Sequence, residues 1–185
     1  MDLCIETAAD RWEVEALYDL CFAPGREALS SYRLRAGVDP VAPLCLLLRD
    51  DGIVAAAIRY WPVRIGAPGT CAVSGRGAGP ASGTQTRACS GGRALLLGPV
   101  AVHPTRQGEG LGAWLIQTSL ERAGALGWER VLLVGDAPYY GRFGFVRLDG
   151  VRMPPPTDPG RVLGLELRPG SWRGVRGDVM RAAPG

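Results

Sequence analysis

Gly108, Gly110 and Gly112 sit in the run Gly108-Glu109-Gly110-Leu111-Gly112-Ala113, between an apolar stretch and a helical one. This spacing brings bare backbone to the point where a helix opens, near Gly110. The first N–H groups of a helix have no partner within it, and the helix dipole adds roughly half a positive charge there. Glycine lets an anion approach the chain closely, so the chemistry this turn offers is binding of a phosphate or pyrophosphate. The motif alone is ambiguous. Gly108 to Ala113 satisfy the dinucleotide pattern G-x-G-x-x-A. Read with its flanks, Val102-His103-Pro104 followed by Gln107-Gly108-Glu109-Gly110-Leu111-Gly112 also satisfies V-x-P then Q-x-x-G-x-G.

Few other residues offer reactive chemistry. There is no lysine, so no Schiff base or amine nucleophile is available. His103 is the only histidine, the residue type best suited to base work at neutral pH. It alternates with Val102 beside the phosphate turn, which points to a structural or phosphate-side role. Asp136 is a second base candidate, but an Asp before Ala-Pro suits a helix cap. Water is the third.

The elements that must position these residues follow from periodicity. Leu95 to Val102 is an apolar run ended by Pro104, hence a buried strand. Gly112, Ala113, Ile116, Ser119, Leu120, Ala123 and Gly127 share one helical face, with Leu115 and Leu126 at its edge. Trp114 falls on the opposite, polar face; either a loop covers it or it marks a partner surface. Upstream, Leu3 to Ile5 reads as a strand and Asp10 to Phe22 as a helix, with Thr7 and Asp10 as an imperfect capping box. Arg26 to Arg35 reads as a weaker second helix. Leu44 to Arg49 and Ile53 to Ile65 form a hairpin around Asp50-Asp51-Gly52, and Pro62 implies an edge position or a bulge. Downstream come a strand over Arg130 to Val134, a short helix over Pro138 to Phe143, and strands over Phe145 to Met153 and Val162 to Leu167.

Residues 66 to 93 change character: Gly, Ala, Ser and Thr dominate, and such a segment cannot bury enough surface to order itself. It is expected to be a flexible insertion, with an acceptor-site lid as the alternative. The tail after about residue 169, rich in Gly and Arg, is expected to be loose. The element order is mixed α/β. A hairpin ahead of the glycine turn argues against a doubly wound dinucleotide fold, which alternates strand and helix from the start.

A second signature lies one strand after the turn: Val134-Gly135-Asp136-Ala137-Pro138-Tyr139-Tyr140-Gly141-Arg142-Phe143-Gly144-Phe145. Tyr140, Gly144 and Phe145 match Y-x-x-x-G-F. With LGPVAVHP and QGEGLG, the stretch from about Leu95 to Phe145 resembles the GNAT acetyltransferase superfamily, especially small bacterial members with an LVGDxxYYxRFGF segment. The resemblance implies a mixed sheet of about six to seven strands flanked by about four helices, splayed between the fourth and fifth strands, in one domain spanning 1–185. It implies acetyl-CoA as cosubstrate, an amine of a small molecule or a peptide as acceptor, and direct attack of that amine. Val100, Ala101 and Val102 would hold pantetheine and the thioester. Arg106, Gln107, Gly108, Gly110, Leu111, Gly112 and Ala113 would surround the pyrophosphate. Tyr140 would protonate the departing thiolate, or bind CoA by a hydrogen bond alone, while Tyr139 is expected to face the core. Acceptor choice would come from Arg26 to Arg35, from Tyr60-Trp61 and from the late strands; Tyr32, Arg33 and Arg35 hint at a carboxylate-bearing acceptor. A silent acyl-CoA sensor and a dinucleotide-dependent oxidoreductase are the competing readings.

Composition bounds the partners. Across 185 residues, 46% hydrophobic and 21% charged is an ordinary globular balance. A net charge of +3 is too small to argue for nucleic acid, and no apolar run approaches a membrane span. The start, MDLCIETAADRWEVE, lacks a signal-peptide pattern. Five cysteines without CxxC spacing read as thiols in a reducing cytoplasm, with no metal expected. A homodimer is left open.

Overall fold

A computed structural model describes residues 1–22, 25, 26, 29–66 and 92–182. Most of the 66–93 stretch, with Cys71 and Cys89, lies outside these residues; Gly66, Gly92 and Arg93 belong to strands. In chain order the elements are β1 (Asp2–Ile5), α1 (Arg11–Cys21), α2 (Ser30–Arg35), β2 (Leu46–Asp50), β3 (Ile53–Gly66), β4 (Gly92–Val102) and α3 (Leu111–Ala125). They continue with β5 (Arg130–Val134), α4 (Ala137–Gly141), β6 (Val146–Arg147), β7 (Val151–Arg152), β8 (Val162–Glu166) and β9 (Gly177–Arg181).

The strands make one sheet in the order β1-β2-β3-β4-β5-β8-β6, with β9 paired to both β3 and β7. All pairs are antiparallel except β4–β5 and β7–β9. This is a mixed sheet, not the doubly wound parallel sheet a dinucleotide fold requires. Among the described residues there are nine strands, against about six to seven expected. The apolar run Phe145 to Met153 is interrupted at Gly150 (φ +89°), leaving two-residue strands on either side. The tail is not loose where expected: β9 pairs with Val63 to Gly66, and Val175 and Val179 are buried. Two valines and a sheet edge with free backbone groups outweigh the Gly and Arg content of that segment.

The β2–β3 hairpin turns at Asp51 (φ +49°) and Gly52 (φ +83°), both in the left-handed region that a tight hairpin requires. α3 packs on one face of the sheet, setting Leu115, Ile116 and Leu120 against Leu46, Leu48, Ala56 and Ile58. α1 packs on the other, setting Val14, Leu17 and Tyr18 against Leu47, Val54 and Ala57. Strand alternation sends odd and even residues to opposite helices, so β3 is apolar on both faces. Each fully buried Leu or Ile contributes about 1.5–3 kcal/mol. Leu126, expected at the edge of the buried face of α3, is exposed, and Trp114 is 40% exposed with no loop over it among the described residues.

Pro62 is tolerated because β2 pairs with β3 only as far as Ile58, and β9 begins its pairing at Val63. On that side Pro62 has no strand to donate to, so its missing N–H costs no ladder bond.

β4 and β5 pair only at Leu95↔Val131 and Leu96↔Leu132. Beyond Leu96 they separate. Between the β3–β4 pairs Tyr60↔Leu97 and Ile58↔Val100, two residues of β4 stand against one of β3. This bulge at Gly98-Pro99 needs φ +116° at residue 98, which glycine supplies. It bends β4 away from β5 and opens the sheet.

Candidate active site

The turn after β4 is held in shape by its own side chains. His103 Nδ1 contacts Thr105 Oγ1 at 2.8 Å and caps the short turn Pro104–Arg106, which makes this histidine a local structural residue. Gln107 Nε2 donates to the Val102 carbonyl at 3.2 Å. Arg106 pairs with Glu109 at 2.8 Å and with Asp50. Gly108 and Gly110 take φ +87° and +83°, and α3 starts at Leu111 with no side chain capping it. The first amides of the helix are therefore left without a side-chain acceptor. At Gly112 a Cβ would lie 3.3 Å from Val102 Cγ2 and 3.5 Å from Tyr139 Oη, so the absence of a side chain keeps helix, strand and tyrosine in contact.

These residues line a cavity of about 490 Å³. Val100, Val102, Arg106, Gln107, Gly108, Gly110, Leu111, Gly112 and Ala113, all expected at the site, border it. Ala101 does not. Its side chain is 3% exposed in the α1 core, because strand alternation points it to the other face.

Tyr140 is placed by α4. Asp136 caps that helix, its carboxylate accepting from the Tyr139 N–H at 3.2 Å, and Pro138 occupies the first turn. The Tyr140 ring packs edge-on against Phe145 with centroids 5.9 Å apart. Burial pushes its phenol up to about 12, so it is protonated throughout the neutral range. Tyr140 borders the glycine-turn cavity and also a gap of about 150 Å³ where β4 and β5 part. Tyr139 does not face the core as expected. It is 38% exposed and borders the glycine-turn cavity, because adjacent residues of a helix point 100° apart. Arg142 lies over its ring at 4.5 Å.

The gap shares Pro99, Arg26, Tyr32 and Arg35 with a third cavity of about 510 Å³. The three thus form a series from the glycine turn, through the opening in the sheet, to a charged chamber. Arg59, 8% exposed in the middle of β3, anchors that chamber. It donates to Glu6 at 2.7 and 2.6 Å and to Glu15 at 2.5 Å. Arg26 binds Asp19 at 2.7 Å and Glu15 at 2.8 Å. Burial works against ionisation of Glu15, but hydrogen bonds from Arg59 and Arg26 outweigh it and hold its carboxyl below the usual range. Cys45 borders the chamber as an inert thiol, pushed up to about 11 by burial.

Of the residues expected to select an acceptor, Tyr32, Arg35 and Trp61 border the chamber. Tyr60 is buried with its hydroxyl on Ser119 Oγ at 2.8 Å, and Arg33 points outward to the Pro155 carbonyl at 3.2 Å. Glu6, Glu15, Tyr18 and Arg59 are additions that the sequence analysis missed. One signal was available: Arg59 is a lone charge inside the apolar run Ile53 to Val63, and such a charge is buried only when paired. Among the described residues, no three His, Cys, Asp or Glu side chains cluster as metal ligands.

Residues 45–147 match the model of the acetyltransferase (GNAT) domain. An N-acetyltransferase of Escherichia coli K12 described as uncharacterized, YjhQ, is 44% identical over 50 residues, covering 27% of this chain and 28% of that relative. The matched stretch thus spans little more than a quarter of the relative's length. The fold is similar to that of the Escherichia coli GNAT family N-acetyltransferase YhbS in complex with CoA, with TM-score 0.72 and 23% identity over 98% of this chain and 89% of the other. It is also similar to a GNAT family acetyltransferase from Brucella melitensis in complex with acetyl-CoA, with TM-score 0.65 and 26% identity over 98% and 96%. A family match over more than half the chain, on a sheet that opens at β4–β5 beside an uncapped glycine turn, leads to one assignment: the chain belongs to the GNAT acetyltransferase family.

Proposed function

We propose that this protein transfers the acetyl group of acetyl-CoA to an amine by direct attack. The observation that carries the reading is the position of Tyr140, bordering both the glycine-turn cavity and the gap between β4 and β5. The residues suit the cosubstrate. The α3 amides and the backbone at Gln107, Gly108 and Gly110 would hold the pyrophosphate. Arg106 is already engaged by Asp50 and Glu109, so its share is secondary. Among the described residues, β4 beyond Leu96 has no strand partner on its β5 side, and the pantetheine amides would pair there as an added strand. Ala101 contributes by backbone alone.

The amine would enter from the charged chamber. Its nitrogen attacks the thioester carbonyl carbon, a C–N bond forms and the C–S bond breaks. A backbone N–H of the Val100–Val102 segment polarises the carbonyl oxygen. Tyr140, protonated at neutral pH, gives its proton to the departing sulfur. Glu6 and Glu15 are bound to arginines, so the ammonium proton is released to water in the chamber.

Calorimetric titration with acetyl-CoA, with NADH as control, tests the reading. Expected is micromolar binding of acetyl-CoA, lost when Gly110 and Gly112 are replaced by valine, together with thiol release on adding an amine. Absence of acetyl-CoA binding sinks the reading. Binding without thiol release across an amine panel would make the protein a sensor on the same fold.

A further inference from the structure

Arg35 ends α2 and borders both the gap and the charged chamber, but not the glycine-turn cavity. Its guanidinium is stacked on two rings, with Cζ 4.4 Å from the Tyr32 centroid and 4.6 Å from that of Trp61. Nε and Nη1 are buried without a hydrogen-bond partner among the described residues. The neighbouring arginines differ: Arg59 is matched by Glu6 and Glu15, and Arg26 by Glu15 and Asp19. At the exposed rim, the chamber is also lined by one cation, Arg11, and one anion, Asp39. Among the described residues, Arg35 is thus the largely buried cation of the chamber that no anion balances. Burial lowers its pKa only to about 10, so it carries its charge at neutral pH. A buried charge without a counter-ion is strongly unfavourable, and a ligand anion would relieve it.

Two further features give the site direction. Nη2 lies 3.8 Å from where a side chain on Gly98 would begin, which places the guanidinium at the β4 bulge, two residues from Val100. Tyr18, fully buried, borders the same chamber with its hydroxyl unpartnered among the described residues. A guanidinium held flat by aromatic stacking presents its donors in the plane that suits the two oxygens of a carboxylate.

We propose that Arg35, with the Tyr18 hydroxyl, binds the carboxylate of the acceptor, so that the amine acetylated here belongs to a small amino-carboxylate. This rests on the acetyltransferase reading above. A carboxylate could also arrive on the acyl group of the donor. The acceptor is the source the geometry favours, because Arg35 borders the chamber on the far side of the opening and does not border the glycine-turn cavity.

The test is thiol release from acetyl-CoA by the full chain with matched amines: amino acids and ω-amino acids against their amides and their decarboxylated counterparts. Expected is a kcat/KM for a carboxylate-bearing acceptor about 10–100-fold above that of its amide. Arg35→Gln should raise the KM for that acceptor by a similar factor, erase the preference over the amide and leave acetyl-CoA binding unchanged. Arg35→Lys, which keeps the cation, should recover part of it, and Tyr18→Phe should lose part of it. Retained acetyl-CoA binding also shows that the variants fold. The proposal is overturned if amides serve equally, if Arg35→Gln slows both members of a pair alike, or if no carboxylate-bearing amine reacts although acetyl-CoA binds. It is also overturned if succinyl-CoA with a neutral amine is the combination that depends on Arg35. Absence of acetyl-CoA binding would instead mean that the underlying reading has failed.

Discussion

Gly135 lies directly beneath the ring of Tyr140: a Cβ on residue 135 would fall 2.6 Å from Tyr140 Cδ2 and 2.7 Å from Leu133 Cδ1. The end of β5 is therefore shaped to let the phenol lie across it. Gly135→Ala should displace the ring at an overpacking cost of about 1–3 kcal/mol. Turnover should fall while acetyl-CoA affinity holds, as measured by steady-state kinetics beside calorimetry. Unchanged turnover would separate Tyr140 placement from catalysis.

Tyr140→Phe removes only the hydroxyl. Acetyl-CoA affinity should persist and turnover should fall about tenfold or more. In the proposed role the active form is the protonated phenol, present below its pKa of about 12 and lost above it. The wild-type rate should accordingly show no alkaline decline due to Tyr140 up to pH about 10. A decline centred near the ordinary tyrosine value, absent from the Phe variant, would contradict the buried placement.

Arg59 holds Glu6 and Glu15 together at the wall of the chamber. Arg59→Met leaves two carboxylates without their shared cation; Glu15 is 39% exposed and keeps Arg26, so the loss falls mainly on Glu6, at about 1–3 kcal/mol. Chemical denaturation should register the loss as a lower midpoint at neutral pH. Because the Glu15 carboxyl is held below its ordinary value of 4.5, its stabilisation is fully present above about pH 4.5 and is lost as pH falls through the lower folded pKa. The variant should lose much of this acid dependence.

Tyr60 and Ser119 share a hydrogen bond of 2.8 Å in the core between β3 and α3. Ser119→Ala leaves the Tyr60 hydroxyl buried without that partner, at about 1–3 kcal/mol, or a drop in melting temperature of about 2–4 °C per kcal/mol for a chain of this size. Acetyl-CoA binding should be unaffected. The double variant with Tyr60→Phe should recover part of the loss, which thermal melts of the four proteins would measure.

The strand–turn–helix around Gly108, Gly110 and Gly112, the hairpin at Asp51-Gly52 and the placement of Tyr140 after β5 were all legible in the chain. Each rests on local chemistry: positive φ at glycine, an apolar run of strand length, an Asp cap followed by Pro. The split of the Phe145 to Met153 run and the capture of residues 177–181 as β9 were not legible. They depend on a sheet edge supplied by Val63 to Gly66, far away in sequence. The exposure of Tyr139 was not legible either, since a short helix can turn either ring inward until its neighbours are known.

By itself, then, the amino-acid sequence determined the glycine turn, the tyrosine that follows it and the family to which both point, because these are patterns of neighbouring residues. Only the tertiary structure decided which charges cancel. Arg59 finds Glu6 and Glu15, Arg26 finds Glu15 and Asp19, and Arg35 stacks on the rings of Tyr32 and Trp61 with no ion-pair partner among the described residues. Charge compensation inside a fold is set by distances of a few ångströms between residues far apart in sequence, as with Arg59 and Glu6, 53 positions apart, and no local pattern carries that information.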